Sequence, residues 1–224
     1  MTMEKHCYTI YDKKGDEMKL LCFIKMIARD IIEDAINQMM EEREQTVIYR
    51  VIEDNIPLIS LFHYVPKSVD DTNDTERQHN REALWHFKDG DDDDVMWDVI
   101  ESFAKIIRKM LGNDTHNVVL AFIPASDVAT SNRRWGIFSS IMADEIGCIN
   151  GYEHMRPKRD SVPRHYIGGR GVPRELDVDE DYFDGKRVVL IDDLVNTGRT
   201  FRNAVETLRG AGADVVLGLS VATT

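Results

Sequence analysis

The chain has 224 residues and a formal net charge of −12, with 40 acidic and 28 basic side chains, and 42% of its residues are hydrophobic. This length and apolar content suffice for one large or two modest hydrophobic cores. The acidic balance disfavours nucleic acid as a partner, although a local basic patch would still permit such contact. Cys7, Cys22 and Cys148 are widely spaced and odd in number, which predicts neither a disulfide framework nor a thiolate metal site.

The first third of the chain predicts an α+β region. Its most apolar early segment, Leu20–Ile27, is short and contains Lys25, so it indicates neither a signal peptide nor a membrane span, and we expect a cytoplasmic protein without a membrane partner. The polar segment Pro66–Arg81 predicts a linker, which divides the chain into an N-terminal region, 1–81, of unassigned role and a domain, 82–224. The predicted N-terminal elements are a strand or hairpin at Cys7–Gly15, a helix over Leu20–Glu44 and strands over Thr46–Ile52 and Pro57–Val65.

The remainder alternates helices with continuously apolar strands, which is typical of a parallel sheet covered by helices on both faces. The fold class predicted is therefore α/β, with a Rossmann-like parallel sheet. The acidic run Asp91–Asp94 is expected to be a solvated helix start with Asp94 near the N-cap rather than a metal site. The predicted elements are helices over Val95–Met110, Trp135–Ile146 and Phe201–Leu208 and strands over Val118–Ile123, Arg187–Ile191 and Val215–Val221.

The segment Val188–Thr200 contains the most informative pattern. Four branched apolar residues end a strand, and Asp192 and Asp193 follow at the carboxyl edge of the sheet, where open α/β folds bind ligands. A short loop through Gly198 then leads into a helix, so backbone N–H groups and the helix dipole favour a phosphate there. The two carboxylates would repel that phosphate and suit sugar hydroxyls or a cation instead. Together these features predict a site for ribose 5-phosphate.

The order of these residues closely resembles the phosphoribosyl pyrophosphate (PRPP) signature of type I phosphoribosyltransferases. The resemblance implies that the two acids contact the ribose hydroxyls, with Mg²⁺ as cofactor reached through water rather than by direct side-chain ligation. It also implies that the following residues bind PRPP. These are Leu194, Val195, Asn196, Thr197, Gly198, Arg199 and Thr200. Asn196 is a mild departure, since the family usually has threonine there.

The resemblance extends to ComF-like phosphoribosyltransferase domains, which are similar over about Leu84–Thr224. The segment Leu84–Asp91 resembles the opening of their transferase part, although their paired-cysteine zinc module is missing. Ser126, Arg133 and Arg134, in a loop after the first parallel strand, are expected to bind pyrophosphate, or else to belong to an ordinary polar loop. Trp135-Gly136-Ile137-Phe138 departs from the family's pyrophosphate loop, which leaves the handling of the leaving group open.

A basic segment, Arg156–Arg170, reverses the sign of the otherwise acidic chain. We expect a flexible loop that closes over a polyphosphate through Lys158, Arg159 and Arg164, or alternatively a contact surface for a partner.

Two functions remain open at this point. The first is a phosphoribosyltransferase that uses PRPP and Mg²⁺, releases pyrophosphate and modifies an unidentified nucleobase-like acceptor. The second is a non-catalytic PRPP or nucleotide sensor, because Gly198-Arg199-Thr200 also resembles the pyrimidine-operon attenuator proteins. The family resemblance implies a homodimer or a protein partner. A role around DNA uptake rests on analogy with ComF-like proteins alone.

Overall fold

The computed structural model describes residues 10–11, 17–18, 47–52, 56–69, 74–112, 114–158 and 175–224. The chain divides into two compact units, Met1–Arg43 and Glu44–Thr224. In the first unit, β1 (Ile10–Tyr11) pairs antiparallel with β2 (Glu17–Met18), in agreement with the predicted hairpin. The helix predicted over Leu20–Glu44 lies outside the described residues.

The second unit is built on a six-stranded sheet in the order β3-β4-β10-β9-β5-β6. All neighbouring strands are parallel except β3, which runs antiparallel to β4 at one edge. A separate antiparallel pair is formed by β7 (Met155–Pro157) and β8 (Leu176–Val178). The strands of the large sheet are β3 (Ile48–Ile52), β4 (Ile56–His63), β5 (Val118–Phe122), β6 (Ile149–Asn150), β9 (Arg187–Val195) and β10 (Asp214–Thr223).

Helices cover both faces of this sheet, as expected from the continuous apolar runs Val118–Phe122 in β5 and Val188–Ile191 in β9, which are buried on both sides. On one face, Phe122 packs against Trp135 and Phe138, with ring centroids 5.3 and 6.2 Å apart. On the other face, Leu190 belongs to a core with Phe201. The helices are α1 (Thr75–Asp89), α2 (Asp93–Leu111), α3 (Val128–Ile146), the short α4 (Glu180–Phe183) and α5 (Arg199–Gly210).

The chain leaves the two central strands in opposite directions. After β5 it continues through α3 to β6, whereas after β9 it continues through α5 to β10, on the other side of the sheet. Such a reversal opens a crevice at the carboxyl ends of the two strands, which is where ligands bind in open α/β folds. The topology therefore directs attention to the residues that follow Phe122 and Ile191.

The predicted linker over Pro66–Arg81 is wrong in its second half, which forms the start of α1. Asp74 caps this helix by accepting hydrogen bonds from the backbone N–H groups of Glu76 and Arg77, at 3.0 and 3.3 Å. The two strands β3 and β4 also extend the large sheet, so this compact unit begins at Glu44 and differs from the predicted division at 81/82.

Three further boundaries differ from the sequence-based prediction. Asp92, rather than Asp94, caps α2 by accepting a hydrogen bond from the N–H of Val95 at 3.1 Å. Helix α3 begins at Val128 instead of Trp135, so the expected polar loop is shorter. Strand β9 continues through the two aspartates to Val195, because β10 pairs with it over that whole length. Among the described residues, no helix is long and apolar enough to cross a membrane.

Candidate functional site

Asp192 and Asp193 lie near the carboxyl end of β9, in the crevice created by the chain reversal. Both are buried, with 8% and 6% of their surface exposed. Successive residues of a strand point to opposite faces of the sheet, so the two carboxylates diverge from one backbone segment. The N–H of Asp193 donates to Oδ1 of Asp192 at 2.9 Å, which fixes the first carboxyl against the chain.

The two acids have different electrostatic surroundings. Burial, and after it the negative charge of Asp193, raises the pKa of Asp192 to about 7. Near neutral pH its carboxyl therefore changes between an ionised acceptor and a protonated group that can also donate a hydrogen bond. Either form suits a sugar hydroxyl, which is itself both a donor and an acceptor.

Asp193 is held by two cations from separate helices. The guanidinium of Arg134, on α3, forms an ion pair and hydrogen bond with Oδ2, and Lys88 Nζ, near the end of α1, lies 3.9 Å from Oδ1. Within the described part of the chain, the Nε–H of Arg134 is buried and has no hydrogen-bond acceptor. Leaving a buried donor unsatisfied costs about 1–3 kcal/mol, so this N–H favours the arrival of an acceptor.

Gly90 brings the end of α1 close to α3. Its backbone is left-handed, with φ 63°, and a Cβ placed there would lie 3.0 Å from the carbonyl oxygen of Arg133. Glycine is therefore required both by the conformation and by the close approach of the two backbones. This approach places Lys88 and Arg134 on the same carboxylate.

The loop Asn196–Gly198 connects β9 to α5, which begins at Arg199. Gly198 has φ 73° and provides no side chain to cap the helix, so no acid of the N-cap residue opposes an anion at the start of α5. Asn196 and Thr197 are exposed, and Arg202 donates a hydrogen bond to the carbonyl oxygen of Thr197 at 3.1 Å. Arg199 and Thr200 form the first turn of α5, whereas the sequence predicted this helix only from Phe201.

Arg50, on the edge strand β3 of the same sheet, contacts this loop. Arg50 donates one hydrogen bond to the carbonyl oxygen of Asn196 at 3.2 Å and another to that of Thr224 at 2.6 Å. The side chain of Asn196 in turn accepts a hydrogen bond from the Thr224 hydroxyl at 2.9 Å. The N-terminal part of the chain, to which the sequence assigned no role, thus positions the loop.

The residues predicted to bind pyrophosphate lie on the neighbouring strand's side of the crevice, but they do not form one cluster. Ser126 donates to the carboxylate of Asp127 at 3.2 Å. Arg133 is exposed and lies 3.9 Å from Asp89, whereas Arg134 is paired with Asp193. Arg134, which the sequence pattern indicated, thus contacts Asp193, whereas Lys88 and Asp127 were not predicted from the sequence.

Asp127 occupies the N-terminus of α3. Its carboxylate accepts hydrogen bonds from the N–H of Thr130 at 2.8 Å and from the Thr130 hydroxyl at 2.9 Å. The bond from the Thr130 N–H is the main reason that the pKa of Asp127 is lowered. The Asp-x-x-Thr spacing at the helix start is the sequence signal that could have identified this cap.

Of the three cations predicted to act in the basic loop, only Lys158 lies among the described residues. Lys158 follows β7, is exposed, and its Nζ lies 3.4 Å from Glu175 at the start of β8. Arg159 and Arg164 lie outside the described residues. At the base of this strand pair, the ring of His154 stacks on Tyr182 and its Nδ1 lies 2.9 Å from a carboxylate oxygen of Asp179.

A family comparison identifies the fold around this site. Residues 153–222, from the β7–β8 pair through β9 and the Asp192–Thr200 segment to β10, match the family model described as the phosphoribosyl transferase domain. The topology around β9 and β5 and the position of the two acids agree with that match. The fold is that of the type I phosphoribosyltransferases. Residues 153–222 are accordingly called the phosphoribosyltransferase segment below.

Individual relatives are distant or match over a part of their length. A ribose-phosphate pyrophosphokinase of Methanopyrus kandleri is 39% identical over 77 residues, which are 32% of this chain and 22% of that protein. A second, from Sulfolobus acidocaldarius, is 27% identical over 143 residues, 64% of this chain and 41% of that protein. The chain thus spans less than half the length of these curated relatives.

Solved structures are similar at a lower level. The adenine phosphoribosyltransferase of Trypanosoma brucei, crystallised with AMP, pyrophosphate and ribose 5-phosphate, has 14% identity and a TM-score of 0.46, with 80% of this chain and 86% of that chain covered. The enzyme from Leishmania tarentolae has 14% identity and a TM-score of 0.44, with coverage of 79% and 94%.

Proposed function

We propose that this protein binds PRPP together with Mg²⁺ and transfers the 5-phosphoribosyl group to a nucleobase-like acceptor, with release of pyrophosphate. The observation that carries the proposal is the pair of buried carboxylates, Asp192 and Asp193, followed directly by an uncapped helix start at Gly198. Hydroxyl-binding acids and a phosphate-binding helix end are thereby separated by one short loop. A ribose 5-phosphate presents the complementary groups in the same order.

In this proposal the ribose and the 5-phosphate of the phosphoribosyl group are bound by different residues. Asp192 and Asp193 hold the ribose hydroxyls. Leu194 and Val195 carry the chain from the acids to the loop. The phosphate is bound by Asn196, Thr197, Gly198, Arg199 and Thr200, through backbone N–H groups and short polar side chains.

The protein's contribution to the transfer would be orientation and charge stabilisation. Ribosyl transfer proceeds through an oxocarbenium-like state, and no covalent attack by the protein is required. Arg134, from inside the crevice, and Ser126 and Arg133, from its rim, would stabilise the departing pyrophosphate. Lys158, Arg159 and Arg164 would close over it and exclude water.

Mg²⁺ would be held mainly by the ligand. Among the described residues, no group of three or more His, Cys, Asp or Glu side chains could hold a metal ion. The carboxylates of Asp192 and Asp193 fit a Mg²⁺ that reaches them through water and takes its other oxygen ligands from the diphosphate. The ion would supply charge neutralisation of that diphosphate when bound.

The experiment is a calorimetric titration of PRPP with Mg²⁺, followed by an assay of pyrophosphate release across a panel of nucleobases. We expect PRPP to bind, pyrophosphate to be released with one of the bases, and the release to fall at least a hundredfold in Asp193→Asn. Absence of PRPP binding by the folded wild-type protein would refute the proposal.

A second candidate is a PRPP or nucleotide sensor without turnover. It is favoured by Asp127, whose carboxylate fills the helix N-terminus beside the predicted pyrophosphate position. PRPP binding without pyrophosphate release for any base would support the sensor and contradict the transferase.

Several finer assignments belong to the same proposal. A ComF-like relationship rests on the resemblance of Leu84–Asp91, and a role around DNA uptake rests on that analogy. The homodimer or protein partner and the cytoplasmic location are expectations from the family resemblance and the composition. The acidic charge continues to disfavour nucleic acid.

A further inference from the structure

Three charged side chains from separate parts of the chain meet in the crevice: Lys88 near the end of α1, Arg134 in α3 and Asp193 in β9. Their side chains are 20%, 14% and 9% exposed, so water screens their interactions poorly. Two cations therefore share the Asp193 carboxylate, and these three side chains carry one net positive charge while the neighbouring Asp192 is protonated.

The hydrogen bonds of this cluster are also incomplete. The Nε–H of Arg134 has no acceptor among the described residues, although the atom is fully buried. A guanidinium presents its N–H groups in a planar fork that matches the oxygens of a phosphate or carboxylate. The excess charge and the unsatisfied donor both favour an additional anion at this place.

We propose that Lys88 and Arg134 form a subsite for the diphosphate of the ligand, and that Asp193 occupies this subsite as an internal counter-ion in the unliganded protein. The inference rests on the proposed function and adds Lys88 as a binding residue. When the diphosphate binds the two cations, the Asp193 carboxylate is released to accept a hydrogen bond from the ribose. Binding of the diphosphate and binding of the sugar are thereby coupled through one side chain.

Arg133 lies at the rim of the crevice, outside this buried cluster of three charged side chains. Its side chain is 56% exposed and lies 3.9 Å from Asp89, also exposed, on the outer surface. Solvent weakens the attraction between a buried cation and an anion less than it weakens the attraction of an exposed cation. Asp89 therefore provides an exposed carboxylate as the matched control for the buried Asp193.

The test is calorimetry with inorganic pyrophosphate in the absence of sugar, at low ionic strength. We expect Asp193→Asn to bind pyrophosphate at least tenfold more tightly than the wild type, because the internal counter-ion has been removed. The double variant Lys88→Met/Asp193→Asn should lose that gain. Asp89→Asn, which removes the same charge from the neighbouring surface, should change the affinity less than twofold.

If the Arg134–Asp193 ion pair had only a structural role, removing Asp193 would not increase the affinity for pyrophosphate. If Asp193→Asn keeps the wild-type circular dichroism and yet binds pyrophosphate no more tightly, the counter-ion proposal is overturned. If that variant does not fold, Lys88→Met decides: it should weaken PRPP binding about tenfold and leave ribose 5-phosphate binding within twofold. Equal effects on both ligands, or no effect on either, would overturn the proposal.

The same titrations separate this inference from the proposed function. Wild-type protein that binds neither PRPP nor ribose 5-phosphate would refute both. Wild-type protein that binds both ligands, with unchanged PRPP affinity in Lys88→Met, would refute the subsite alone.

Discussion

Each of the two central strands, β5 and β9, is followed by a loop and a helix, and the two helices differ in how their N-termini are capped. After β9, helix α5 begins at Gly198, which has no capping side chain. After β5, helix α3 begins with the carboxylate of Asp127 bonded to its N-terminal groups. Both helix ends carry the same partial positive charge, but the N-cap side chain contributes a negative charge only at the start of α3. We therefore expect an exogenous anion to bind more readily at the start of α5 than at the start of α3.

Under the proposed function, the two sides of the crevice would bind different groups of the ligand. The phosphate on the β9 side would be bound mainly by backbone N–H groups, which need glycine for access. The anion on the β5 side would be bound by the side chains of Lys88 and Arg134, which are already partly neutralised. Substitutions on the two sides should therefore change ligand affinity by different amounts and in different directions.

The largest effect is expected for Gly198→Val. A branched side chain is strained at φ 73° and would contact Arg202 and Ile52, whose atoms lie 3.4 and 3.7 Å from the added Cβ. PRPP affinity should fall about 100-fold, or about 2.7 kcal/mol, by calorimetry. Gly185→Val is the control, since Gly185 has φ 67° with open space around it, and PRPP should still bind normally. Equal losses in both variants would contradict a specific role for Gly198.

A pH-dependent effect on stability is expected from Asp192. Its folded-state pKa of about 7 lies above the ordinary value of 3.8, so the folded state binds the proton more tightly than the unfolded state. Its contribution to stability is therefore present at low pH and is lost as the pH rises towards 7. Between pH 5 and pH 8 this group should reduce the free energy of unfolding by roughly 2–3 kcal/mol.

Denaturant titrations of the wild type and Asp192→Asn at pH 5 and pH 8 would measure that contribution. The variant should gain stability relative to the wild type as the pH rises. A difference between the two proteins that does not change with pH would show that Asp192 is ionised throughout.

A smaller effect of opposite sign is expected for Asp127→Ser. Serine keeps a cap on α3 but removes the negative charge, so stability should change by less than about 0.5 kcal/mol. Pyrophosphate affinity should rise about threefold to tenfold, because the β5 side then resembles the β9 side. Asp127→Ala should lose about 1 kcal/mol of stability through loss of the cap. Unchanged pyrophosphate affinity in a stable Asp127→Ser protein would contradict the claim that the Asp127 carboxylate opposes anion binding at the start of α3.

The smallest effect is expected for Arg50→Met. Loss of its hydrogen bonds to Asn196 and Thr224 should loosen the β9–α5 loop and weaken PRPP binding about fivefold, or about 1 kcal/mol. Arg108→Met is the control, because Arg108 also donates to a backbone carbonyl, that of Glu145 at 2.6 Å, outside the crevice. PRPP titrations in which both variants bind alike would contradict a positioning role for Arg50.

The sequence was informative where the site is contiguous. Val188–Thr200 contains the strand, the acids, the glycine and the helix start in one run, so local patterns were sufficient to predict a strand–loop–helix unit there. Its boundaries differ, because β9 extends beyond the predicted Ile191 to Val195 and α5 begins before the predicted Phe201. The burial of Asp192 and Asp193 near the end of a central strand follows from the same pattern. The α/β fold class was also predicted correctly from the alternation of apolar strands with helices.

Residues contributed from distant segments could not be predicted in this way. Arg50 contacts a residue 146 positions away, and nothing in the alternation of β3 distinguishes it from other strand residues. Lys88 lies in α1, whose first turns are polar and were therefore predicted to be a linker. Only Leu84 and Phe87 of this helix are buried, so its apolar pattern is weak. Their roles depend on the strand order and on the close contact at Gly90, which the sequence pattern does not encode locally.

The central claim is that a sugar phosphate binds at the carboxyl end of β9. A crystal structure of the protein with ribose 5-phosphate tests it most directly. We predict the phosphate within hydrogen-bond distance of backbone N–H groups between Thr197 and Thr200, and the ribose hydroxyls against Asp192 and Asp193. A phosphate bound elsewhere, with the N-terminus of α5 still solvated and the Asp193–Arg134 pair intact, would contradict the account.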